Sequence, residues 1–316
     1  MATVLITGGT GMIGKALTTA LLQKNYQVII LSRNIARNQS VSAATSAVMN
    51  SPSYAQWDIK KQTIDKEAIE KADYIIHLAG AGVADKRWTK KRKQEIVESR
   101  VKSGELLVKA LKETPDNVKA IITVSGIGWY GPDPVIPNPD PFTEDDPVSN
   151  DFLGQTCKQW EASLDPVVQM GKRLVKLRTG IVLNKGGGAL KEFERPLTFG
   201  VATILGSGKQ IISWIHIDDL ARLFIRAIEN DKMSGVYNAV SPHPVSNKEL
   251  ILKIAAVKKG KFFIPLHIPS FVLKLVLGEM STEILKSATV SCKKAGDAGF
   301  TFIHPSIDAS LHDLAE

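Results

Sequence analysis

Residues 3–14, TVLITGGTGMIG, constrain the fold more than any other stretch of the chain. TVLIT is apolar and β-branched, the composition of a buried strand. Glycines then stand at 8, 11 and 14, and MIGKALTTALLQKN follows with Ile13, Leu17, Ala20 and Leu21 at helical spacing. Three glycines alone would be an ordinary turn. Between a strand and a helix they permit a tight bend and a close backbone approach. The helix start leaves its first N–H groups unpaired and presents the positive end of its dipole. That combination is a cradle for a pyrophosphate. Gly8, Thr10, Gly11, Met12 and Ile13 are therefore the first candidate cofactor contacts.

The end of the second apolar run, YQVIILS, bears on which dinucleotide is held. A ribose with free hydroxyls is usually met there by Asp or Glu. This chain has Ser32, Arg33 and Asn34, with Arg37 one turn further on. A guanidinium without a carboxylate suits a 2′-phosphate, so the expected cofactor is NADP(H) rather than NAD. Asp58, which closes the next strand candidate YAQWD, joins the set of expected cofactor contacts.

Further along, IDKEAIEKA reads as a helix, DYIIHLAG as a strand, Thr89–Lys112 as a long helix with Val97, Val101, Val108 and Leu111 along its stripe, and NVKAIITVSG as a strand. Continuous apolar strands separated by amphipathic helices predict a parallel sheet covered on both faces, and right-handed crossovers make it doubly wound. Residues 34–53 read as a loop. Residues 130–150, crowded with prolines and acids, read as a long irregular connection of the kind that is usually functional. RLVKLRT is another strand, NKGGGAL a glycine-rich turn, and SWIHIDDLARLFIRAIE a strand end leading into a capped helix. The fold class is α/β: a Rossmann-type doubly wound sheet over residues 1–181, with a smaller mixed α/β substrate lobe over 182–316. Parts of 210–240 are expected to return to the first domain.

No apolar run approaches the roughly 20 residues that span a bilayer, and no basic segment precedes the first strand, so neither a membrane anchor nor a secretory signal is expected. Cys157 and Cys292 match no metal spacing. No metal is expected, and a reducing, cytoplasmic setting is the simplest account. A formal charge of +8 and the cluster Lys90, Lys91, Arg92, Lys93 raise the question of nucleic acid. No aromatic interleaving or nucleic-acid motif accompanies the cluster, so it reads as the solvated start of a helix. The expected partner is a small molecule, with the chain a monomer or a homodimer.

The pattern T-G-x-x-G-x-x-G at Thr7–Gly14, HLAG at 77–80 and WIHIDDLAR at 214–222 resembles the extended, epimerase-like branch of the short-chain dehydrogenase/reductase superfamily. More narrowly, ADKRW (84–88), GGGAL (186–190), LGSGKQIISWIHIDDL (205–220) and a tail beginning near Pro265 resemble an atypical subgroup. Its members are usually named epimerase family proteins or nucleoside-diphosphate-sugar epimerase-like proteins. The resemblance implies that Leu78, Ala79 and Gly80 line the nicotinamide ribose. It also implies a catalytic Tyr-x-x-x-Lys pair with a serine on the preceding strand end. In that chemistry the lysine lowers the tyrosine pKa from its reference near 10, so that the phenol exchanges a proton with the substrate oxygen.

Lys158 and Ser125 fall on the matching helix and strand end, but Gly154 stands where the tyrosine would be. Members of the subgroup resemble this chain in lacking it. Lys158 then keeps the ribose contact while its proton-transfer partner must be another residue or none. Tyr130, close after Ser125 in SGIGWYG, either faces the same cleft or packs at the loop start. Glu161 is either a shielded base or an ion-pair partner. Cys157 reads as a small buried hydrophobe. Arg87 and Trp88 of ADKRW, with Trp214 and His216, are the candidate substrate contacts; a capping turn, a packed tryptophan and a hinge histidine are the plainer alternatives. Two functions follow: an NADP-dependent oxidoreductase or epimerase acting on a small polar substrate such as a sugar nucleotide, or an NADP(H)-binding sensor that has lost catalysis.

Overall fold

The computed structural model describes residues 1–35 and 51–315, so Arg37 lies outside the described residues. Strands β1 (Thr3–Thr7), β2 (Gln27–Ser32), β3 (Ser53–Asp58), β4 (Thr63–Ile64), β5 (Tyr74–His77), β6 (Ala120–Gly126) and β7 (Arg173–Thr179) are joined by a later strand, Gly235–Ala239, into one sheet. Its order is Gly235–Ala239, β7, β6, β5, β1, β2, β3, β4. All pairs are parallel except β3 with β4. Chain direction across the sheet reverses at β1, which pairs with β2 on one side and β5 on the other. The crevice outside the carboxyl ends of strands at such a reversal is where ligands of these sheets bind.

The central strands form here because they are apolar on both faces. In β1, Val4 and Ile6 face one core and Leu5 the other, all fully buried; each such side chain taken out of water stabilises the fold by about 1.5–3 kcal/mol. The Val4–Ile6 face is covered by α1 (Met12–Gln23), through Leu17 and Leu21, and by Ile217–Glu229, through Leu220 and Phe224. The Leu5 face is covered by helices α2 (Lys66–Glu70) and α3 (Lys90–Glu113). Thr89 caps α3, its hydroxyl accepting the Arg92 amide at 3.1 Å.

The buried face of α3 follows the expected stripe at Val108 and Leu111 and departs from it in the first half of the helix. Val97 and Val101 are only half buried, and the covered face runs through Arg92, Ile96, Arg100, Ser103 and Leu107. The polar members are tolerated because they are paired. Arg100 donates to the Ala81 and Ile96 carbonyls at 2.9 and 3.0 Å, and its guanidinium lies 4.7 Å from the Trp160 ring centre. Of the basic cluster, Arg92 is buried against the Gly82 carbonyl and Glu95, and Lys93 bonds Glu279 at 2.8 Å.

Residues 130–150 are irregular, as expected, yet firmly latched. The Asp133 carboxylate accepts from the Thr289 amide and hydroxyl, each at 2.9 Å, and from Ser287 Oγ at 2.7 Å. Helices α4 (Phe152–Ala162) and α5 (Pro166–Gln169) lead to β7. Beyond it come β8 (Ile181–Asn184), α6 (Gly188–Glu194), β9 (Val201–Leu205), β10 (Ile211–Ile212), β11 (Trp214–His216) and α7 (Ile217–Glu229). The strand Gly235–Ala239, β12, then returns to the edge of the main sheet beside β7. A separate core holds the rest of the lobe, with Trp214, Leu250, Ile254 and Leu311 at its centre. Among the described residues no helix is long and apolar enough to cross a membrane.

Candidate functional site

The glycine turn has the geometry that its position in the sequence suggests. Gly8 has φ of +70°, and a Cβ there would come within 2.9 Å of the Leu78 carbonyl carbon. At Gly14 a Cβ would meet the Gly8 oxygen at 2.5 Å, so only glycine allows α1 to start this close to β1. Gly11 caps α1 without any side-chain hydrogen bond, which leaves the helix's first amides to a ligand. The glycine-rich turn of the second lobe meets this cradle: a Cβ on Gly188, whose φ is +60°, would lie 2.9 Å from Met12 Sδ. A dinucleotide pyrophosphate fits this cradle.

Beside it, the end of β5 is braced from below. Thr7 Oγ1 accepts the amides of Leu78 and Ala79 at 3.1 and 3.2 Å and contacts His77 Nδ1 at 2.8 Å. Burial, with the Arg100 charge nearby, pushes His77 down to about 3, so the ring is neutral. Gly80 is exposed over Arg100, placing Leu78–Gly80 along the crevice. Ser32 is buried, its hydroxyl 3.1 Å from the Asn34 amide, and Arg33 is exposed at the crevice end of β2. Asp58 is half buried; its Oδ1 accepts from the amides of Lys60 and Lys61 at 2.8 and 3.1 Å, and these bonds lower its pKa.

At the carboxyl end of β6 a row of side chains crosses three strands. Ser125 pairs in register with Arg178 of β7, and Arg178 with Asn238 of β12. Residues in register on parallel strands project to the same face. Glu161 of α4 drops onto this row: it accepts from Ser125 Oγ at 2.7 Å, and from Arg178 Nε and Nη2 at 2.9 and 3.1 Å. Arg178 also donates to Tyr130 Oη at 3.2 Å and to the Glu144 carbonyl at 3.1 Å, with its guanidinium 3.6 Å over the Trp129 ring. Tyr130 in turn donates to Asn238 Oδ1 at 2.6 Å, and the Asn238 amide donates to Glu144 Oε1 at 2.7 Å. Ser125, Tyr130, Glu161, Arg178 and Asn238 are each no more than 4% exposed.

This assembly differs from a Ser–Tyr–Lys site. Burial pushes Tyr130 up to about 12, so it is a neutral phenol rather than a proton acceptor at neutral pH. Burial pushes Cys157 up to about 11, the behaviour of a small buried hydrophobe. Lys158 is exposed and stands outside the Ser125–Glu161–Arg178–Tyr130 network. The gap at Gly154 has a physical cause: a Cβ there would lie 2.3 Å from the Ser149 carbonyl oxygen. Ser149 is itself held by the Trp129 carbonyl, which accepts its amide at 2.7 Å, and by Gln155, which donates to its carbonyl at 3.0 Å. Backbone fills the space into which a tyrosine would project.

The expected substrate contacts are dispersed. Trp88 and Trp214 are buried, and their indole N–H groups donate to the carbonyls of Val83 at 2.8 Å and His243 at 3.0 Å, so both act in packing. Arg87 is exposed beside Gly278, where the first domain meets the second lobe. His216 is buried and caps α7, its Nδ1 accepting the Asp218 amide at 3.2 Å. Arg178, Asn238 and Glu144 were not singled out from sequence. The one available signal concerns Arg178, one of three basic residues in the strand RLVKLRT, since a buried parallel strand carries a charge only when it is paired.

The NAD dependent epimerase/dehydratase family model matches residues 4–152, and a domain of unknown function, DUF1731, matches residues 268–314. Epimerase family protein YfhF of Bacillus subtilis is 33% identical over 312 residues, covering 98% of this chain and 97% of that protein. A Mycobacterium tuberculosis epimerase family protein is 32% identical over 98% of this chain and 96% of its own length. The crystal structure of human epimerase family protein SDR39U1 with NADPH superposes with a TM-score of 0.84 at 30% identity, covering 99% of both chains. A nucleoside-diphosphate sugar epimerase from Corynebacterium glutamicum superposes at 0.75 with 29% identity, covering 99% of this chain and 58% of that one. On these matches the chain belongs to the epimerase family proteins of the extended short-chain dehydrogenase/reductase type, with a DUF1731 domain at its C-terminal end.

Proposed function

We propose that this protein binds NADP(H) and uses it on a small polar substrate, a sugar nucleotide being the class expected. The observation that carries the reading is the side-chain-free cradle at Gly8, Gly11 and Gly14, set beside the buried Ser125 row at the same edge of the sheet. Gly8–Ile13 would hold the pyrophosphate through backbone amides, Leu78–Gly80 would line the ribose, and Arg33 would meet the 2′-phosphate. The NADPH in the human relative and the nucleotide-sugar activity in the name of the Corynebacterium relative support the same reading. When bound, the nicotinamide supplies or accepts hydride. Ser125 Oγ is the hydroxyl of the row that stands at the strand end, and Glu161, itself held by Arg178, fixes its orientation by accepting its hydrogen bond. Lys158, on the exposed side of α4, is the proposed ribose contact.

Calorimetric titration tests the cofactor half: NADPH is expected to bind at least tenfold more tightly than NADH. Arg33→Ala should remove most of that preference. Absence of binding by the folded protein would refute it. A second reading, a cofactor-dependent sensor without turnover, is favoured by the backbone that fills the space opposite Gly154. NADPH consumption across a panel of nucleotide sugars and carbonyl compounds separates the two. Turnover lost in Ser125→Ala identifies the enzyme, whereas no turnover together with unequal affinities for NADP+ and NADPH identifies the sensor.

A further inference from the structure

The second lobe carries an apolar surface that lies outside its core. β13 (Val245–Ser246), α8 (Asn247–Lys259), β14 (Ile264–Ile268) and α9 (Ser270–Leu277) follow β12 in the chain, and β14 pairs in parallel with β9. Phe262, in the turn that enters β14, is 88% exposed, and Phe199, just ahead of β9, is 85% exposed. The Gly200 carbonyl accepts the Ile264 amide at 2.8 Å, so the two phenylalanines stand at the same end of this ribbon. Phe263 packs on the lobe core, while Phe262 beside it does not. Ile264 and Leu266, on one face of β14, are exposed as well.

Helix α9 extends the surface. Its sequence, SFVLKLVL, is apolar but for Ser270 and Lys274, a pattern that suits a helix covered on nearly every side. Leu273 is buried and Leu277 packs in the cluster of Trp88 and Met280, but Phe271 and Leu275, one turn apart, are exposed. Large apolar side chains gathered on adjoining elements mark an interaction surface, whereas single ones scattered over a protein do not.

Charge identifies the occupant. Residues 250–278 hold Lys253, Lys258, Lys259, Lys261 and Lys274 and not one Asp or Glu. Lys253 is paired with Asp308 at 2.6 Å and Lys258 with Glu194 at 3.2 Å. Lys259, Lys261 and Lys274 are exposed, and none of them is in an ion pair among the described residues. A second copy of the chain would bring these like charges together. A partner strand would find a poor edge: the Ile264 amide points to β9, so Pro265 lies toward the free edge and has no N–H to give. Protruding aromatics beside unpaired lysines are instead complementary to acidic lipid headgroups. We propose that this face docks on an anionic bilayer. Phe199 and Phe262 enter the boundary between headgroups and acyl chains, and Lys259, Lys261 and Lys274 lie against the lipid phosphates. The attachment is peripheral and needs no membrane-crossing helix.

The test is cosedimentation of the full chain with lipid vesicles. Binding to vesicles of equimolar phosphatidylcholine and phosphatidylglycerol is expected to be at least tenfold tighter than to phosphatidylcholine alone, and to weaken as salt rises. Phe262→Ser, and Lys259→Glu combined with Lys261→Glu, change exposed side chains. Each variant should keep the wild-type melting temperature and lose at least tenfold in affinity for the anionic vesicles. Failure of the wild-type chain to bind those vesicles overturns the proposal, as does equal binding to both compositions. Binding unchanged in both variants would place the contact on another face and overturns it too. A wild-type chain that sediments as a dimer without lipid, while Phe262→Ser sediments as a monomer, would assign the face to a second copy instead.

Discussion

The two ends of the crevice are made by opposite means. At the cradle, side chains have been removed: Gly8, Gly11 and Gly14 bring backbone close and leave amides unspent. At the end of β6, side chains have been packed in, and Ser125, Glu161, Arg178, Tyr130 and Asn238 satisfy one another. The cradle is poised for a ligand to complete it. The network is already complete, so anything that reacts there must exchange one of its hydrogen bonds. The first end is a receptacle and the second is a rigid frame.

The largest effect is expected where the frame loses a charge. Glu161→Ala leaves the Arg178 guanidinium buried without its carboxylate and should destabilise the fold by about 3–5 kcal/mol, measured by urea unfolding. Adding Arg178→Met should recover part of that loss, because the uncompensated charge goes with it. A double variant no more stable than Glu161→Ala would mean that the frame is not held by this pair. Next comes Gly154→Ala. Its Cβ would meet the Ser149 carbonyl oxygen at 2.3 Å, so crowding should cost roughly 1–3 kcal/mol. Gly154→Tyr should cost more and confer no new turnover; a stable, active Gly154→Tyr would show that the loop can yield.

The brace beneath the cradle has a pH signature. His77 is held neutral in the fold at about 3, against about 6.5 when unfolded. Above 6.5 neither state is protonated and the residue is silent. As pH falls from 6.5 toward 3 the unfolded state takes up a proton that the folded state refuses. Stability should therefore fall by up to about 1.4 kcal/mol per pH unit from this residue alone. His77→Asn should flatten that part of the profile, and an unchanged slope would remove the assignment. The smallest effect belongs to Lys158, exposed on α4: Lys158→Ala should alter stability by less than about 0.5 kcal/mol while weakening NADPH binding. A loss of stability with binding intact would reverse its proposed role.

The same contrast governs what could be read before the fold was known. The cradle lies within twelve consecutive residues, so strand, turn and helix announce one another. The frame does not, because Ser125, Arg178 and Asn238 become neighbours only through the register of β6, β7 and β12. Gly154 was visible as a missing tyrosine, but its cause, the Ser149 backbone, is a loop position that no local pattern encodes. Helix α3 was found with its ends nearly right and its buried face partly misassigned, since Arg92, Arg100 and Ser103 carry polar atoms inward and bind carbonyls and His77 there. Periodicity counts apolar residues and so passes over such positions.

The return of β12 to the main sheet bears on how the protein can be divided. Residues 1–181 include β7 but neither β12, which shields its outer edge, nor α7, which roofs the Val4–Ile6 face. A fragment ending there would expose an open row of peptide groups and a bare apolar floor, the conditions for sticky self-association. Chimeras that exchange the second lobe among relatives should therefore keep residues 217–239 with the parent that supplies the cradle.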